Sequence, residues 1–423
     1  MLKRYYAIIL SLVLVFGIFL VSSDCVYAGN GTRELGFSAR DSAMAGATTA
    51  SPYDTSCLVK NPAALVWIGN RIDAMYQSIL PHDVTINPEG PSVIPVGGGV
   101  FLPLADKGVT QKSNIDYIPG VDAGISYRIP GTDKYPISVG LGMFTMAGVE
   151  DNFPSPRINR ALLTGEYDKM IDLRSMRIAP GLAVAFNDKL SFGATGNIEI
   201  QGLRSNLATS NGFAETAGGG KWDFVPGAGF TLGLLYKLND MLNLGASYES
   251  HTWMGKHYMY KDSLPCIDEP PVINVGLSLK PIKNLELTYD TRYINWTDVK
   301  IASDTPMRGG FGWQDQWVFA VGGEYTAFKD KLKLRLGYNY GRSPIQPGAV
   351  FANALLPLVM EHHLTTGFSY FLTKDLSLDF VWEHHFMGVQ TDNGAGDFYS
   401  IAGNGTKVTA AAEIISLGLG YKY

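Results

Sequence analysis

Histidine and glutamate side chains gather in two short runs, Glu361-His362-His363 and Glu383-His384-His385. The runs flank one predicted turn, and pairing across that turn places His363 opposite His385 on the same face of a hairpin. Two imidazoles and the Glu383 carboxylate are a set that can bind a divalent metal ion. A hydrated polar patch is the alternative, so these three residues are only candidate ligands, and we expect no cofactor.

Three arginines, Arg177, Arg292 and Arg335, could instead anchor the acidic group of a ligand through paired N–H donors. Each occupies the polar parity of a segment in which apolar and polar residues alternate. The alternative is that they neutralise acidic side chains of the protein itself, such as Asp290 and Glu324. The sequence leaves both roles open.

Motifs of well-known catalytic mechanisms are missing from the sequence, which has no GxSxG elbow, no P-loop and no CxxC pair. An enzyme of the lipase or protease type would need a Ser/His or Asp/His group assembled at one rim of the fold. An adhesin or a purely structural protein is a further alternative. The net charge of −5 gives no sign of a nucleic-acid partner. We therefore expect neither enzyme activity nor nucleic-acid binding.

Residues 1–28 have the pattern of a secretory signal peptide. Lys3 and Arg4 supply the positive end, Ala7 to Val21 the apolar stretch, and Val26-Tyr27-Ala28 a small-residue cleavage site. A membrane anchor is the alternative, but the apolar stretch is shorter than the ~20 residues that a spanning helix needs. The pattern therefore predicts an exported chain.

Residues 69–423 have the pattern of a long run of strands, because apolar and polar residues alternate between turn signals. Short connections, such as Asn187-Asp188 and Asn239-Asp240, alternate with longer ones. An even number of strands joined in this way is typical of outer-membrane barrels. The pattern predicts fourteen strands, at about 71–80, 117–129, 135–148, 172–186, 189–203, 222–238, 241–260, 271–280, 284–294, 316–327, 331–340, 363–372, 375–386 and 407–423.

Polarity assigns the two faces of these strands. The last strand puts Ile415, Leu417, Leu419, Tyr421 and Tyr423 on one parity, with serine, glycine and lysine between them. We expect the apolar parity to face lipid, with tyrosines at the interface. An arginine or lysine at the middle of the lipid face would cost ~2–4 kcal/mol, so the polar parity must face the lumen. The expected fold is an all-β, antiparallel transmembrane barrel; a soluble β-sandwich is the alternative.

The segment from Asp41 to Leu65 has neither the helical nor the strand period. It is rich in small and turn-forming residues, and its prolines forbid a long regular element. A compact, irregular segment ahead of the strands suggests a plug, so we assign residues 29–68 to an N-terminal hatch inside the lumen. A disulfide between Cys57 and Cys266 is open.

Several stretches of the sequence resemble, in the right order, the FadL/TodX (OmpP1) family of outer-membrane transporters for hydrophobic compounds. They are AMAGATTASPYDTSCLVKNPAAL at 43–65, LAVAFNDKLSFGATGN at 182–197, YINWTD at 293–298, RLGYNYGRSPI at 335–345 and LGLGYKY at 417–423. Asn61-Pro62-Ala63 stands where that family has its NPA. The resemblance spans nearly the whole mature sequence. It implies a monomeric, 14-stranded barrel in the lipid of the bacterial outer membrane, with a hatch that blocks the lumen.

The resemblance also implies passive uptake of hydrophobic small molecules, either long-chain fatty acids or aromatic hydrocarbons. Substrate would leave sideways through a gap at a kink in the third strand. Gly140, Gly142 and Gly148 would permit that strand to bend, whereas ordinary close packing of strands is the alternative role of these glycines.

Asn61, Pro62 and Ala63 would act as hatch or gate residues, because the Asn-Pro pair fixes one route for the hatch past the third strand. The alternative is a simple turn that leads into the first strand. The loops at about 204–221 and 261–270 are shorter than the capture loops of family members that carry long-chain fatty acids. This difference leaves the substrate open.

Overall fold

The structure, a computed structural model, describes residues 30–89, 93–95, 101–103, 108–153, 169–205, 220–260 and 266–423. The predicted signal peptide at 1–28 lies outside the described residues, as do most of the two loops predicted to be short. From Arg71 onward, the alternating residues form fourteen long antiparallel strands. In chain order they are β1 (Arg71–Asn87), β2 (Ile118–Arg128), β3 (Ile137–Phe153), β4 (Lys169–Ala185), β5 (Leu190–Ser205), β6 (Asp223–Lys237), β7 (Leu242–Glu249), β8 (Val272–Ile282), β9 (Leu285–Ile294), β10 (Gln316–Ala327), β11 (Leu332–Gly341), β12 (His362–Phe371), β13 (Leu376–Thr391) and β14 (Lys407–Lys422).

The strands close into a barrel. Each strand pairs with the next one in sequence, and the first pairs with the last, so that Arg71 lies opposite Lys422. Two-residue strands at Gln111–Lys112 and Trp253–Met254 add to β1 and β6. Closure removes the free edges whose backbone groups lipid could not satisfy. The prediction of a 14-stranded all-β barrel is confirmed.

Several predicted strand boundaries differ from the structure, and two of them differ most. The strand predicted at 241–260 ends at Glu249. Just beyond it, the His251 ring is hydrogen-bonded to the carboxylates of Asp268 and Asp298, at 3.0 and 2.7 Å. The strand predicted at 71–80 continues to Asn87. Its pairing with β14 resumes beyond an irregularity at Asp83, whose φ of 54° lies in the left-handed region.

The two faces are as predicted. In β14, Leu417 and Leu419 are 59% and 50% exposed on the outer surface, whereas Ser416 before them and Gly418 between them are buried. Arg292 and Arg335 point into the barrel and are likewise buried. The lipid-facing parity is thus apolar and the lumen parity polar, as the cost of a charge in hydrocarbon requires.

Short turns join the strands at one end of the barrel, here called the turn end, and longer loops join them at the loop end. At the turn after β4, the side chain of Asn187 accepts hydrogen bonds from the backbone N–H of Lys189 and Leu190, both at 2.8 Å. None of the helices in the described residues is long and apolar enough to cross a membrane. The α-helices are Ala39–Ala43, Cys57–Lys60, Lys300–Ser303 and Phe398–Gly403; the 3-10 helices are Pro62–Trp67, Tyr258–Tyr260, Trp296–Asp298 and Pro306–Arg308; a separate hairpin joins Val93–Pro95 to Phe101–Pro103.

Side chains fill the barrel in two tiers. Residues 30–68 lie inside the lumen and are nearly all buried, and we call this segment the hatch. Toward the loop end lies a large apolar cluster, which we call the outer apolar cluster. It joins the loop-end parts of the strands to the loops 295–315 and 342–361, which fold inward. Cys57 and Cys266 are both free, so the possible disulfide does not form.

Candidate functional site

The backbone pairing between β2 and β3 stops partway along the wall. β2 pairs with β1 as far as Ile118 but with β3 only from Arg128 to Ala123, which lies opposite Met143. Residues 118–122 of β2 and 144–153 of β3 therefore face each other without ladder hydrogen bonds between them. We call this interruption the β2–β3 opening.

Side-chain and loop contacts mark the two ends of the opening. At the end nearer the turns, the N–H of Thr145 donates to the carboxylate of Asp122 at 2.7 Å, and its hydroxyl donates to the carbonyl of Val121 at 3.2 Å. At the loop end, the N–H of Asn114 donates to the carbonyl of Asn152 at 3.0 Å. Between these contacts, β2 and β3 have no strand pairing in the described residues.

A bulge in β3 accounts for the interruption. Pairing with β4 shifts between Thr145 and Ala147, so that Met146 is an extra residue. From Ile137 to Leu141 exposed and buried residues are mixed, but from Gly142 to Asp151, on both sides of the bulge, every residue is buried. A bulge bends a strand and ends regular pairing. The part of β3 nearer the loop end thus lies inward of the wall.

The predicted glycines lie along this bent strand. A Cβ on Gly142 would overlap the ring of Phe144, and a Cβ on Gly140 would lie 3.0 Å from Leu65 of the hatch. The absence of side chains therefore lets Phe144 fold inward and lets the hatch approach the strand. Gly148 lies beyond the bulge, opposite Arg174 of β4.

Buried ion pairs hold the hatch to the wall. Arg40 lies on the helix Ala39–Ala43, whose N-terminus is capped because Ser38 accepts a hydrogen bond from the N–H of Asp41. The Arg40 guanidinium contacts Glu324 at 2.8 Å and Glu286 at 3.2 Å. Both carboxylates belong to barrel strands, so this helix is fixed in position by charge as well as by packing.

Lys60 connects separate parts of the hatch. The Lys60 ammonium donates to the carbonyls of Leu35 and Gly46, both at 3.1 Å. Burial and the neighbouring Arg292 lower the pKa of Lys60 to about 8, although Asp41 opposes them. The carbonyl acceptors and Asp41 therefore stabilise the charged form of the Lys60 amine against the cost of burial.

Asn61-Pro62-Ala63 lies against β5 and β6. The Asn61 amide donates to the carbonyls of Thr49 at 2.8 Å and Leu234 at 3.0 Å, and its oxygen accepts from the N–H of Ala63 at 3.2 Å. This residue caps the 3-10 helix Pro62–Trp67, which leads toward β1. The motif thus fixes the path of the hatch, but past the fifth and sixth strands.

Two opposed glycines make that contact possible. Gly193 and Gly233 are register partners on β5 and β6, and a Cβ on either would overlap Asn61 or Pro62. The third strand is contacted instead by Leu58 and Leu65. Whether the motif acts as a gate is a separate matter from this geometry and stays a prediction.

The start of the hatch lies beside the opening. The backbone of Arg33 forms an antiparallel bridge with Ala147, just beyond the bulge of β3. The Arg33 guanidinium contacts Glu249 at 2.7 Å. Burial raises the pKa of the adjacent Glu34 well above its ordinary value, and the carboxylates of Glu383 and Asp122 add to the rise. The inner side of the opening is thus covered by the hatch.

The three candidate anchor arginines already have acceptors within the protein. Arg177 contacts Glu199 at 2.9 Å and Glu249 at 2.8 Å. Arg335 contacts Glu324 at 2.7 Å, as the neutralising alternative requires, whereas Arg292 donates to the Asn274 amide oxygen at 3.0 Å. All three side chains are buried. The geometry favours internal neutralisation, and the anchoring role stays a prediction.

The histidine pair forms as predicted, with His363 directly opposite His385. Their ring centroids are 4.5 Å apart with an interplanar angle of 73°, and His385 lies 3.3 Å from Glu383. Within the described parts of the chain, no group of three or more His, Cys, Asp or Glu side chains is placed to hold a metal ion.

Sequence reasoning missed the outer apolar cluster, because its members come from loops as well as strands. Trp313 contacts Trp296 edge to face at 5.0 Å and stacks on Phe311 at 5.1 Å. The Trp296 and Trp313 indoles donate to Gln316 and Asn353, so each buried N–H is satisfied. Apolar and aromatic residues within the long loops were the signal that could have revealed it.

The sequence matches the family model described as outer membrane protein transport protein (OMPP1/FadL/TodX) over residues 18–423. The chain belongs to this family. It is therefore a 14-stranded outer-membrane barrel of a family of transporters and channels. No curated protein matches the sequence.

Solved structures share the fold at low sequence identity. A Pseudomonas aeruginosa FadL homologue has a TM-score of 0.67 at 16% identity, with 93% of this chain and 99% of that chain covered. The Pseudomonas putida toluene transporter TodX gives 0.66 at 18%, with 92% and 99% covered. The CymD monoaromatic hydrocarbon channel gives 0.60 at 15%, with 92% and 98% covered.

Proposed function

We propose that this member of the family takes up hydrophobic small molecules passively and releases them sideways through the β2–β3 opening into the outer membrane. The observation that carries the proposal is the interruption of the β2–β3 pairing above Ala123 and Met143. The outer apolar cluster adjoins it, because Ile118 of β2 and Val149 of β3 belong to that cluster. An apolar compartment and an interrupted wall thus lie side by side.

The polar hatch supports a sideways rather than a straight route. An apolar molecule that moved on toward the turn end would meet buried ion pairs such as Arg40–Glu324. It would separate charged partners without offering hydrogen bonds in return, which is costly in a buried site. Asn61, Pro62 and Ala63 then act as gate residues by holding the hatch across the straight route toward the turn end.

The substrate class is hydrophobic, with aromatic hydrocarbons and long-chain fatty acids as the two candidates. Two structural relatives are named for toluene and for monoaromatic hydrocarbons. The buried arginines that could bind a carboxylate already contact acceptors of the protein. Both observations favour a neutral aromatic compound. Competition between toluene and a long-chain fatty acid for uptake tests that order of preference.

Deletion of Met146 tests the release route. The deletion removes the extra residue of the bulge while Thr145 and Ala147 keep their partners on β4. It should straighten β3 and lower the uptake of radiolabelled toluene in cells that lack their own transporter. Met146→Leu keeps the bulge and serves as the matched control. Equal uptake by both variants, at equal amounts of heat-modifiable folded barrel, would refute sideways release.

The gate role of the hatch motif has its own test. Asn61→Ala combined with Pro62→Ala removes the side-chain bonds to Thr49 and Leu234. The double variant should leave a folded barrel in the outer membrane but change the uptake rate. If uptake per folded barrel stays the same, Asn61 and Pro62 only connect the hatch to β1.

A further inference from the structure

The lipid-facing surface carries a groove beside the opening. Large apolar side chains cover most of the outer wall, but the outward-facing Ala74 on β1 is small, and Gly418 on β14, on the lumen parity, has no side chain. The groove that these two residues help to line has a volume of about 500 Å³. Its outward walls are formed by Tyr76, Val121, Leu378, Leu417 and Leu419.

The groove reaches the β2–β3 opening at Val121. This residue lies at the edge of the opening, where its carbonyl accepts the hydrogen bond from Thr145. It is also the register partner of Tyr76 on β1, so the groove continues from β2 onto β1 without a break in the wall. A molecule that left the barrel at this edge would therefore meet the groove first.

The groove also has a direction. Val121 lies in the loop-side part of β2, whereas Ala74, Leu419 and Leu378 form one register row close to the turn ends of their strands. The groove thus descends along the wall from the opening toward the turn end. In an outer-membrane barrel the short turns are on the periplasmic side.

We propose that this groove is an exit track, which holds the transported hydrophobic molecule as it leaves the opening and moves along the wall toward the periplasmic face. The proposal rests on the proposed function. Its occupant is the transported molecule rather than a membrane lipid, because the groove begins at Val121, at the edge of the opening through which that molecule leaves the barrel. Apolar contact is the interaction expected for a molecule that carries no charge.

Filling the groove tests the track. Ala74 is exposed and outward-facing, so Ala74→Trp fills the groove without entering the lumen. Val275→Trp is the matched control, because Val275 on β8 is also outward-facing, 54% exposed, and lies on the far side of the barrel. Ala74→Trp should lower the initial rate of toluene uptake several-fold, whereas Val275→Trp should leave it at the wild-type rate. Equilibrium binding of toluene to detergent-solubilised protein should be the same in both.

The outcomes separate the track from the function on which it rests. Equal uptake by Ala74→Trp and Val275→Trp would overturn the track and leave sideways release intact. Wild-type uptake no greater than that of cells without the protein would overturn both. If Ala74→Trp reduces the amount of folded barrel, the smaller Ala74→Leu takes its place, with Val275→Leu as control. An intermediate loss of uptake is then expected, and no loss would overturn the track.

Discussion

Arg40→Met should release the hatch while leaving the barrel folded. The guanidinium of Arg40 joins the hatch to Glu324 and Glu286 on two barrel strands. Removing one partner of a buried ion pair costs about 3–5 kcal/mol. Glu324 keeps Arg335 at 2.7 Å, so its charge is not left alone, and the lower end of that range applies. About 3 kcal/mol corresponds to roughly a hundredfold larger fraction of undocked hatch.

Hydrogen exchange followed by mass spectrometry measures that fraction. Amides of residues 30–68 that exchange through undocking should exchange up to about a hundredfold faster in Arg40→Met, while amides of the barrel strands keep their protection. Planar-bilayer recordings should show a higher ion conductance, because the lumen is then less often blocked.

Lys280→Met is the control for this experiment. Lys280 contacts the same Glu286 at 3.7 Å but is half-exposed and belongs to the wall. An exposed pair of this kind contributes about 0–1 kcal/mol, so hatch exchange should stay close to the wild-type rate. Unchanged hatch exchange in Arg40→Met, or equal acceleration in both variants, would refute the assignment of the hatch's docking energy to Arg40.

Three further predictions concern the hatch and the interior. Gly193→Ala should loosen the hatch and raise ion conductance, because its Cβ would overlap Pro62, whereas Gly196→Ala on the same strand meets only Pro180 at 3.6 Å and should behave as wild type. The raised pKa of Glu34 favours docking with the carboxyl protonated, so docking should weaken as pH rises through that pKa; Glu34→Gln should abolish this dependence in hydrogen exchange corrected for intrinsic rates. Arg177→Met should lower the temperature at which the barrel loses its heat-modifiable migration, because Glu199 loses its arginine partner while Glu249 keeps only Arg33. Relative to the wild type, equal losses of affinity for a carboxylated ligand and for its neutral analogue in that variant would exclude an anchoring role.

Most of the fold could be predicted from the alternation of apolar and polar residues in the sequence. The outward row of β14 and the pairing of His363 with His385 both follow from a period of two and one turn, which are local features. The bulge at Met146 is different. Around it apolar residues occupy both parities, so the period that defines a strand's two faces disappears. That loss of period was a signal of bending, but by itself it does not give the direction of the bend.

The position of the hatch depends on contacts that no local pattern contains. Asn61 was recognised as a structural residue, yet its amide binds the carbonyl of Leu234, 173 residues away in sequence. The opposed glycines Gly193 and Gly233 leave the space on β5 and β6 in which Asn61 and Pro62 pack. Each glycine looks ordinary in its own strand, since glycine is common in this sequence. Only the register of two strands shows that they lie side by side.

The energies of the two routes out of the outer apolar cluster support sideways release. The route toward the turn end crosses ion pairs such as Arg40–Glu324, and the separation of a buried pair costs about 3–5 kcal/mol. The sideways route passes the hydrogen bonds of Thr145 to Asp122 and Val121 and the backbone bridge of Arg33 to Ala147. A hydrogen bond contributes about 0.5–1.5 kcal/mol net, or about 1.5–3 kcal/mol when one group is charged. The three sideways contacts together are similar in energy to one buried ion pair, but the route toward the turn end also meets Arg40–Glu286 and Lys60–Asp41. The larger number of buried ion pairs on that route supports the proposed sideways release.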